Sequence, residues 1–576
     1  MYFFERTIGG RAYRLAGQAI WDPARAQSYS RQVVLGPADA TGLADLSATR
    51  KVGTRRVGDV GALAWVAEQL DIVGIVDRAC GLTTTAKTPS LGEMVVAVAI
   101  QRACAPAGKR SLASFLDDSV ARMSCLPGEA FSGQAFHRLA ARVTETDLER
   151  VQIELARAAV ARFELHTDVL AFDTTNFDTH IATTTPGKLA RRGHAKSKRS
   201  DLRVVGLGIL VSETGHVPLL YRTYAGNGSD QGVLESCLDG LSKLHDALDE
   251  GEGRSRPAQR TLVRDGGSWS PQLELHLDVV GYYTLISLPL SHKASELALV
   301  AAAKRGAMKS LAGKLRDVRA ARVMGKVGKL DRTLLVVESK ELLKGQKRGI
   351  ADALAKAKVK LRTLDRRVKA GRVSRPQVER RLREILGREH LSSFVVTEIG
   401  GTEQAPTLSW RVDAALRRQL ETTRLGRRVL CTDRHTWSAE RIVHAFRGQW
   451  NVEELFRRAK KGGVVPWGPS HQWADASLRL HTFATVLGLT LVSLAKIALG
   501  TKMSARAMMR SLAAIDATLV RTTTGGMGRR PTVMLAPDLT AEQAKAVDVF
   551  ELGRWLPSLL STSDSSRARA GKQAAA

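Results

Sequence analysis

The sequence predicts an α/β protein: a mixed sheet flanked by helices, interrupted by an α+β insertion and preceded by a mainly helical region. Three observations support this fold class. Between about 55 and 165, apolar residues recur every three or four positions, which indicates helices. From 166 onward, short apolar runs alternate with turn residues, which indicates strands. Between 291 and 437, a long charged helical pattern separates two parts of this second region.

The strand-forming region has a recognisable order of elements. The runs VLAFDTT, RVVGLGILVSE and VPLLYRTYAGN predict three strands, the last two joined as a hairpin. A helix, the strand RTLVRD, a second helix and the strand YYTLISLPL follow. The order β-β-β-α-β-α-β is that of an RNase H-like core, a mixed sheet with helices on its faces.

The chain is too long for one ordinary core, so we expect several domains. The predicted segments are 1–165 (extended start, then helices), 166–290 (first part of the core), 291–437 (insertion), 438–500 (second part of the core) and 501–576 (helical segment and disordered tail). We expect the first segment to bind DNA ends, with a plain helical bundle as the alternative, because no helix-turn-helix signature is clear. Thr146 and Glu149 predict a capping box at the start of its last helix.

Charge narrows the class of partner. The 576 residues include 87 Lys and Arg against 57 Asp and Glu, a net charge of +30. This excess favours a polyanion, either nucleic acid or an acidic membrane surface. The alternative is that the whole proteome is basic, in which case the charge says nothing about DNA.

Other classes fit less well. The start MYFFERTIGG lacks the unbroken apolar core of a signal peptide. The most apolar window, 483–500, contains Lys496 and several hydroxyls, so we expect a buried helix and no membrane partner. The scattered cysteines suggest neither a disulfide framework nor a zinc site, which favours a reducing cytoplasm; they are Cys80, Cys104, Cys125, Cys237 and Cys431.

Two aspartates follow apolar runs of the predicted core. Asp173 comes at the end of V-L-A-F-D, and Asp265 at the end of T-L-V-R-D, before Gly266 and Gly267. A carboxylate at a strand end points into the crevice where open sheets bind ligands, and the glycines allow a tight turn that leaves it uncovered. Either aspartate taken alone is as well explained by a turn or cap.

A third carboxylate lies on the helix predicted over 439–461. On a continuous helix, Gln449 is one turn before Glu453, while Phe446 and Lys460 are two turns away on either side, so all four share one face. The alternative interpretation concerns the acidic pair Glu453–Glu454. Both residues could simply form i,i+4 ion pairs with Arg457 and Arg458.

In this order, on this core, the three carboxylates resemble those of the DDE transposases of bacterial insertion sequences. The insertion-sequence-four-like group carries Tyr-x2-Arg-x3-Glu-x6-Lys, and this chain has Phe446-x2-Gln449-x3-Glu453-x6-Lys460. The W-x-V-E-x-x-F-R-x-x-K texture, FDTTNF and GHAKSKRSDLRVVGLGILV look most like the IS-sixteen-thirty-four-like branch. The sequence departs from the signature at Phe446 and Gln449, which lose a hydroxyl and a charge.

The resemblance implies an activity and its cofactors. Asp173, Asp265 and Glu453 would be catalytic and hold two Mg²⁺ ions, for which Mn²⁺ substitutes; Asp173 would bridge the ions, and the other two would each bind one. Phe446, Gln449 and Lys460 would contact DNA. The enzyme would bind terminal inverted repeats, cleave double-stranded DNA and join the ends to target DNA, as a homodimer on paired ends. Its location would be the bacterial cytoplasm, at the nucleoid.

Two alternatives remain open: an RNase H-like nuclease without strand transfer, and an inactive DNA-binding relative. The insertion offers a second candidate DNA-binding region. Residues 340–390 hold 17 Lys and Arg against 6 Asp and Glu, so they form either a stripe along the DNA backbone or a solvated helical hairpin. The backbone interpretation assigns phosphate binding to Lys356, Lys358, Lys360, Arg366 and Arg367.

Overall fold

A computed structural model describes most of the chain. The described residues are 2–22, 27–37, 49–83, 85, 87–120, 126–255, 258–304, 306–387, 390–522, 532–535 and 539–556. They form a mixed α/β protein, as the sequence predicts. Cys125 and most of the predicted tail lie outside the described residues, and the other four cysteines carry free thiols.

The element bounds are as follows. The strands are β1 (Tyr2–Ile8), β2 (Arg11–Asp22), β3 (Gln27–Pro37), β4 (Thr49–Arg56), β5 (Val169–Thr179), β6 (Arg203–Ser212), β7 (Pro218–Ala225), β8 (Arg260–Asp265), β9 (Tyr282–Leu288), β10 (Lys309–Ser310), β11 (Val318–Val327), β12 (Leu330–Ser339), β13 (Val395–Gly401), β14 (Pro406–Val412), β15 (Arg427–Thr432), β16 (Asp516–Thr522) and β17 (Thr532–Leu535). The helices are α1 (Gly58–Gln69), α2 (Ile72–Cys80), α3 (Leu91–Cys104), α4 (Leu112–Asp117), α5 (Gly133–Ala140), α6 (Glu145–Phe163), α7 (Asp230–Glu235), α8 (Leu238–Gly251), α9 (Pro271–Val280), α10 (Lys293–Ala302), α11 (Lys340–Lys369), α12 (Arg375–Leu386), α13 (Ala414–Thr423), α14 (Ala439–Arg447), α15 (Trp450–Ala459), α16 (Asp475–Leu499), α17 (Ala505–Ala513) and α18 (Ala541–Val549).

The largest sheet within the described residues has nine strands, in the order β10-β11-β12-β15-β9-β8-β5-β6-β7. Strands β5, β8 and β9 run parallel, and the remaining neighbours are antiparallel. Five neighbouring strands of this sheet come from the first predicted core segment; they are β9, β8, β5, β6 and β7. The insertion returns to the same sheet and extends it past β9 with β10, β11, β12 and β15.

The rest of the insertion has a small core of its own. The long helix α11 packs against α12 and the β13–β14 hairpin. Its buried positions recur every three or four residues, as an amphipathic helix requires; they are Ile350, Leu354, Ala357, Leu361, Leu364 and Val368. The charged residues between them are left on the solvent side of the helix.

Helix α16 is the centre of the other helical layer. It packs against α1, α3, α5, α6, α17 and β7, so its apolar residues fill the protein core. It is the one helix in the described ranges long and apolar enough to cross a membrane, and most of it is buried inside the protein, as the sequence predicts. Strand β4 also pairs with β16. The first and last predicted segments thus share a core with α16.

Candidate active site

Asp173 and Asp265 lie at the same level on neighbouring strands. The parallel pairing of β5 with β8 ends at Ala171 and Val263, two residues before each aspartate. The prediction that the first strand ends at Asp173 is wrong, because β5 continues to Thr179 by pairing with β6. Asp173 is instead the point where β5 parts from β8, whereas Asp265 does end its strand.

Both aspartates face the same side of the sheet. Side chains alternate along a strand, so Asp265 shares a face with Thr261, and Asp173 shares one with Phe177. The Thr261 hydroxyl accepts a hydrogen bond from Arg434 Nε at 2.8 Å, and the Phe177 ring stacks on Trp467 with centroids 5.0 Å apart. The segment between those two partners contains α14 and α15. The two carboxylates therefore face the layer that carries Glu453.

The turn after β8 leaves the Asp265 carboxylate exposed. Residues 266–268 form a single 3-10 turn, the tight turn that the glycines predict. A Cβ at Gly266 would lie 2.1 Å from the Ser287 carbonyl oxygen, so only glycine fits there. Asp265 Oδ1 accepts from the Gly266 amide at 2.8 Å, and Asp173 Oδ1 accepts from the Thr174 amide at 2.7 Å.

The predicted single helix over 439–461 is two helices, α14 and α15. Between them the amides of Gly448, Gln449 and Val452 donate to carbonyls three residues back, which tightens the chain locally into 3-10 geometry. Glycine is a poor helix former, which accounts for the break at Gly448. The continuous face assumed for the four signature residues is therefore interrupted within the signature itself.

The two adjacent glutamates differ in their partners. Glu454 pairs with Arg457 at 2.9 Å and with the buried Arg458 at 3.5 Å, so the ion-pair interpretation is right for this residue. Burial lowers the pKa of Arg458, and the Glu454 carboxylate opposes that shift. Glu453 is exposed and forms no side-chain hydrogen bond or ion pair in the part of the chain that the structure describes.

Glu453 opens into a cleft of about 350 Å³ beside the sheet. Phe446, Gln449 and Trp450 line it from the helices, and Arg428 lines it from β15. Asp173 and Asp265 do not line this cleft. Among the described residues, no group of three or more His, Cys, Asp or Glu side chains could hold a metal ion. The register thus places the two aspartates level on neighbouring strands, and Glu453 lines a cleft that neither aspartate lines.

Two predicted DNA-binding residues of the signature, Lys460 and Phe446, lie in surroundings that differ from those expected on one continuous helix. Lys460 follows the last residue of α15 with extended backbone, so helical spacing no longer places it on the face of Glu453. The prediction of a shared face is wrong for Lys460, which is exposed. Phe446 is buried and contacts Arg428, whose guanidinium lies 5.9 Å from the ring centroid.

The basic residues assigned to α11 lie on a solvated helix. Lys356, Lys360, Arg366 and Arg367 are exposed, and Lys358 is half-buried. Two acidic residues of the same region pair with other cations: Asp365 with Lys369, and Glu379 with Arg375. Within the described ranges, none of the five assigned cations forms an ion pair.

Sequence reasoning overlooked one cation near Asp173. Lys196 lies in the exposed loop between β5 and β6, and its Nζ donates to the carbonyl of Thr174, the residue after Asp173. Its backbone amide donates to Asn176 Oδ1 at 2.9 Å. The signal was the basic run HAKSKR directly between two predicted strands.

No family model and no curated protein matches this chain. A solved structure described as a piggyBac transposase synaptic complex with hairpin DNA is similar over 79% of this chain and 78% of that one. The sequence identity is 10% and the TM-score 0.36. A score in that range does not establish a common fold.

Proposed function

We propose that this chain is a DNA transposase of the DDE class, built on an RNase H-like core. The observation that carries the proposal is the pair Asp173 and Asp265, level on adjacent parallel strands and facing one layer of helices. The strand order supports it. Strand β5 lies centrally, with an antiparallel hairpin on one side and the parallel strands β8 and β9 on the other, as an RNase H-like core requires.

The donor set suits a hard divalent cation. Two neighbouring carboxylates provide the oxygen ligands that Mg²⁺ prefers, and substrate phosphate completes such a shell; Mn²⁺ would serve as a substitute. Metal held there would supply activation of the attacking oxygen and stabilisation of the leaving oxygen in phosphoryl transfer. We assign Asp173 and Asp265 to the metal directly. Glu453, which lines a cleft and has no partner in the described ranges, is the proposed third ligand.

The surrounding cations bind the substrate in this proposal. The exposed cations of α11, together with Lys196 and Lys460, would hold phosphates of double-stranded DNA, which positions the duplex without reading its sequence. The chain would act as a homodimer on two terminal inverted repeats, cleave them, and join the ends to target DNA in a bacterial cytoplasm. The proposal that a bacterial insertion sequence encodes this chain rests on the signature around Glu453.

One observation favours a second candidate function. Glu453 lines a cleft that neither aspartate lines, as an inactive DNA-binding relative would allow. A nuclease without strand transfer shares the same site and differs only in its products.

The test uses the full chain and a DNA substrate that carries the genomic sequence on either side of the gene for this chain. We expect nicks with free 3′-OH ends and joined products in Mg²⁺ or Mn²⁺, and none with chelator. Asp173→Asn and Asp265→Asn should each lower the rate by about 10³-fold, several kcal/mol of transition-state stabilisation. The matched control is Asp178→Asn, on the opposite face of β5.

The products decide between the candidates. Nicks without joined products indicate the nuclease. DNA binding without any cleavage indicates the inactive relative. Equal loss of activity in Asp173→Asn and Asp178→Asn would overturn the assignment of the site.

A further inference from the structure

Trp467 lies fully buried between the two elements that carry proposed metal ligands. Its indole stacks on Phe177 of β5, four residues after Asp173, with ring planes 9° apart. Its backbone amide donates to the carbonyl of Ala459, the last residue of α15, at 2.7 Å. One residue therefore joins the strand of Asp173 to the helix of Glu453.

Two residues of helix α16 form hydrogen bonds with Trp467. The indole Nε1 donates to Thr482 Oγ1 at 3.0 Å, and the Trp467 carbonyl accepts from His481 Nε2 at 2.7 Å. Burial lowers the pKa of His481 well below its usual value, so the ring is neutral. With its proton on Nε2, His481 accepts at Nδ1, where Lys109 Nζ lies at 2.5 Å.

Arg102 of α3 forms hydrogen bonds with the turn that contains Trp467. Its guanidinium donates to the carbonyls of Pro466 and Gly468, the residues on either side; the second bond is 3.1 Å long. Burial lowers the pKa of Arg102 to about 10, and within the described ranges no carboxylate pairs with it. A buried cation without a counter-charge costs free energy, which its bonds to the turn must offset.

We propose that Trp467 is a positioning residue that fixes α15 over the sheet face bearing Asp173 and Asp265, and that Arg102 fixes Trp467. The inference rests on the proposed function, because α15 carries the proposed third ligand. It assigns the N-terminal helices a role in aligning the site that is separate from any binding of DNA by those helices.

The first measurement is hydrogen exchange by mass spectrometry on the metal-free protein. Trp467→Leu removes the ring stack and the indole donor, so the amides of α15 and of β5 should exchange faster. Trp467→Phe keeps an aromatic ring on Phe177 and should stay closer to wild type. Trp473→Leu is the matched control, because Trp473 lies in the same connection and is 71% exposed.

The second measurement is Mn²⁺ affinity by calorimetry. Removing a residue that supports a metal ligand typically weakens metal binding 10- to 100-fold. We therefore expect the Mn²⁺ affinity to fall about 10-fold in Trp467→Leu and to recover in Trp467→Phe. Arg102→Met should act in the same direction, and the exposed Arg110→Met should not. If Trp467→Leu does not fold, Arg102→Met carries the test against Arg110→Met, because it removes the bonds to the Pro466 and Gly468 carbonyls and keeps the ring stack.

Two results would overturn the inference. One is unchanged exchange in α15; the other is faster exchange with unchanged Mn²⁺ affinity, which would make Trp467 a packing residue only. A wild-type protein without Mn²⁺ affinity would overturn the proposed function instead, and α15 exchange alone would then decide whether Trp467 couples the two elements.

Discussion

The cations of the core and those of α11 carry the same charge in opposite surroundings. Arg102, Arg264 and Arg458 are buried, and each is held by fixed oxygen acceptors. Lys356, Lys360 and Arg367 on α11 are exposed and form no ion pair within the described ranges. The 87 Lys and Arg residues behind the net charge of +30 thus include two unlike sets. Only the exposed set is available to a polyanion, whereas the buried set maintains the fold.

The largest effect is expected at the buried pair Arg264–Glu274. Arg264 Nη2 donates to Glu274 Oε1, and both side chains are inaccessible to solvent. Glu274→Gln would leave the guanidinium without its counter-charge, at a cost of about 3–5 kcal/mol in the free energy of unfolding. Urea denaturation measures it. The exposed Glu403→Gln should change that free energy by well under about 1 kcal/mol, and equal effects would break the distinction between the two sets.

The second effect is a pH dependence set by Lys109. Burial, and secondarily the nearby Arg102, lowers its pKa to about 7, and the neutral His481 faces it from α16. Between that value and the ordinary pKa near 10.5, the unfolded chain binds more protons than the folded one. Stability should therefore rise with pH, by up to about 1.4 kcal/mol per unit above pH 7.

The measurement is urea denaturation at several pH values. Lys109→Met should remove this part of the slope, and Lys87→Met, at an exposed position outside this cluster, should keep it. A slope identical in wild type and Lys109→Met would show that Lys109 keeps its proton when buried.

The third effect separates the adjacent glutamates. Glu454→Ala leaves the buried Arg458 with one partner fewer, so it should lower the free energy of unfolding by about 1–3 kcal/mol. Glu453→Ala should barely change stability, yet it should abolish Mg²⁺-dependent cleavage if Glu453 is the third ligand. Thermal unfolding and a cleavage assay on both variants test this. The reverse pattern would mean that the signature is out of register.

The smallest effect per residue is expected on α11. Neutralising Lys356, Lys358, Lys360, Arg366 and Arg367 together should flatten the dependence of log affinity on log salt, by about 0.9 for each phosphate that the variant no longer neutralises. The decrease in affinity should be the same on end DNA and on scrambled DNA, because binding to phosphates does not read sequence.

The matched control for that variant uses the same number of cations from the same region. Each of the control residues forms an ion pair; they are Lys347, Lys369, Arg375, Arg380 and Arg381. Their neutralisation should change the salt slope less. A decrease in affinity confined to end DNA would contradict the backbone interpretation, since it would require recognition of bases.

The chain order of the core strands was predictable because it depends on local pattern. A period of two and apolar runs located the strands, whereas the matching level of the two aspartates became visible only with the parallel pairing of β5 and β8. Local pattern failed where two registers were possible. The capping box of α6 uses Thr144 and Asp147, two residues before the predicted pair, because both pairs have the same spacing.

Long-range packing was beyond the sequence. Helical spacing joined Phe446, Gln449, Glu453 and Lys460 on one face, and it gave no sign that the chain tightens at Gly448. The role of Arg102 depends on contacts with residues more than 350 positions away, and that of Trp467 on the distant Phe177, which no local period records. Likewise, nothing in the sequence of residues 49–56 predicts their pairing with β16.

The packing of α3 on α16 has a consequence for synthesis on the ribosome. The N-terminal helices cannot complete their core until residue 499 has emerged, more than 300 residues after α6 ends. At about 5–20 residues per second, they wait for roughly 15–70 seconds with apolar surfaces uncovered. We therefore expect the nascent chain to depend on chaperones, and prematurely terminated chains to be degraded.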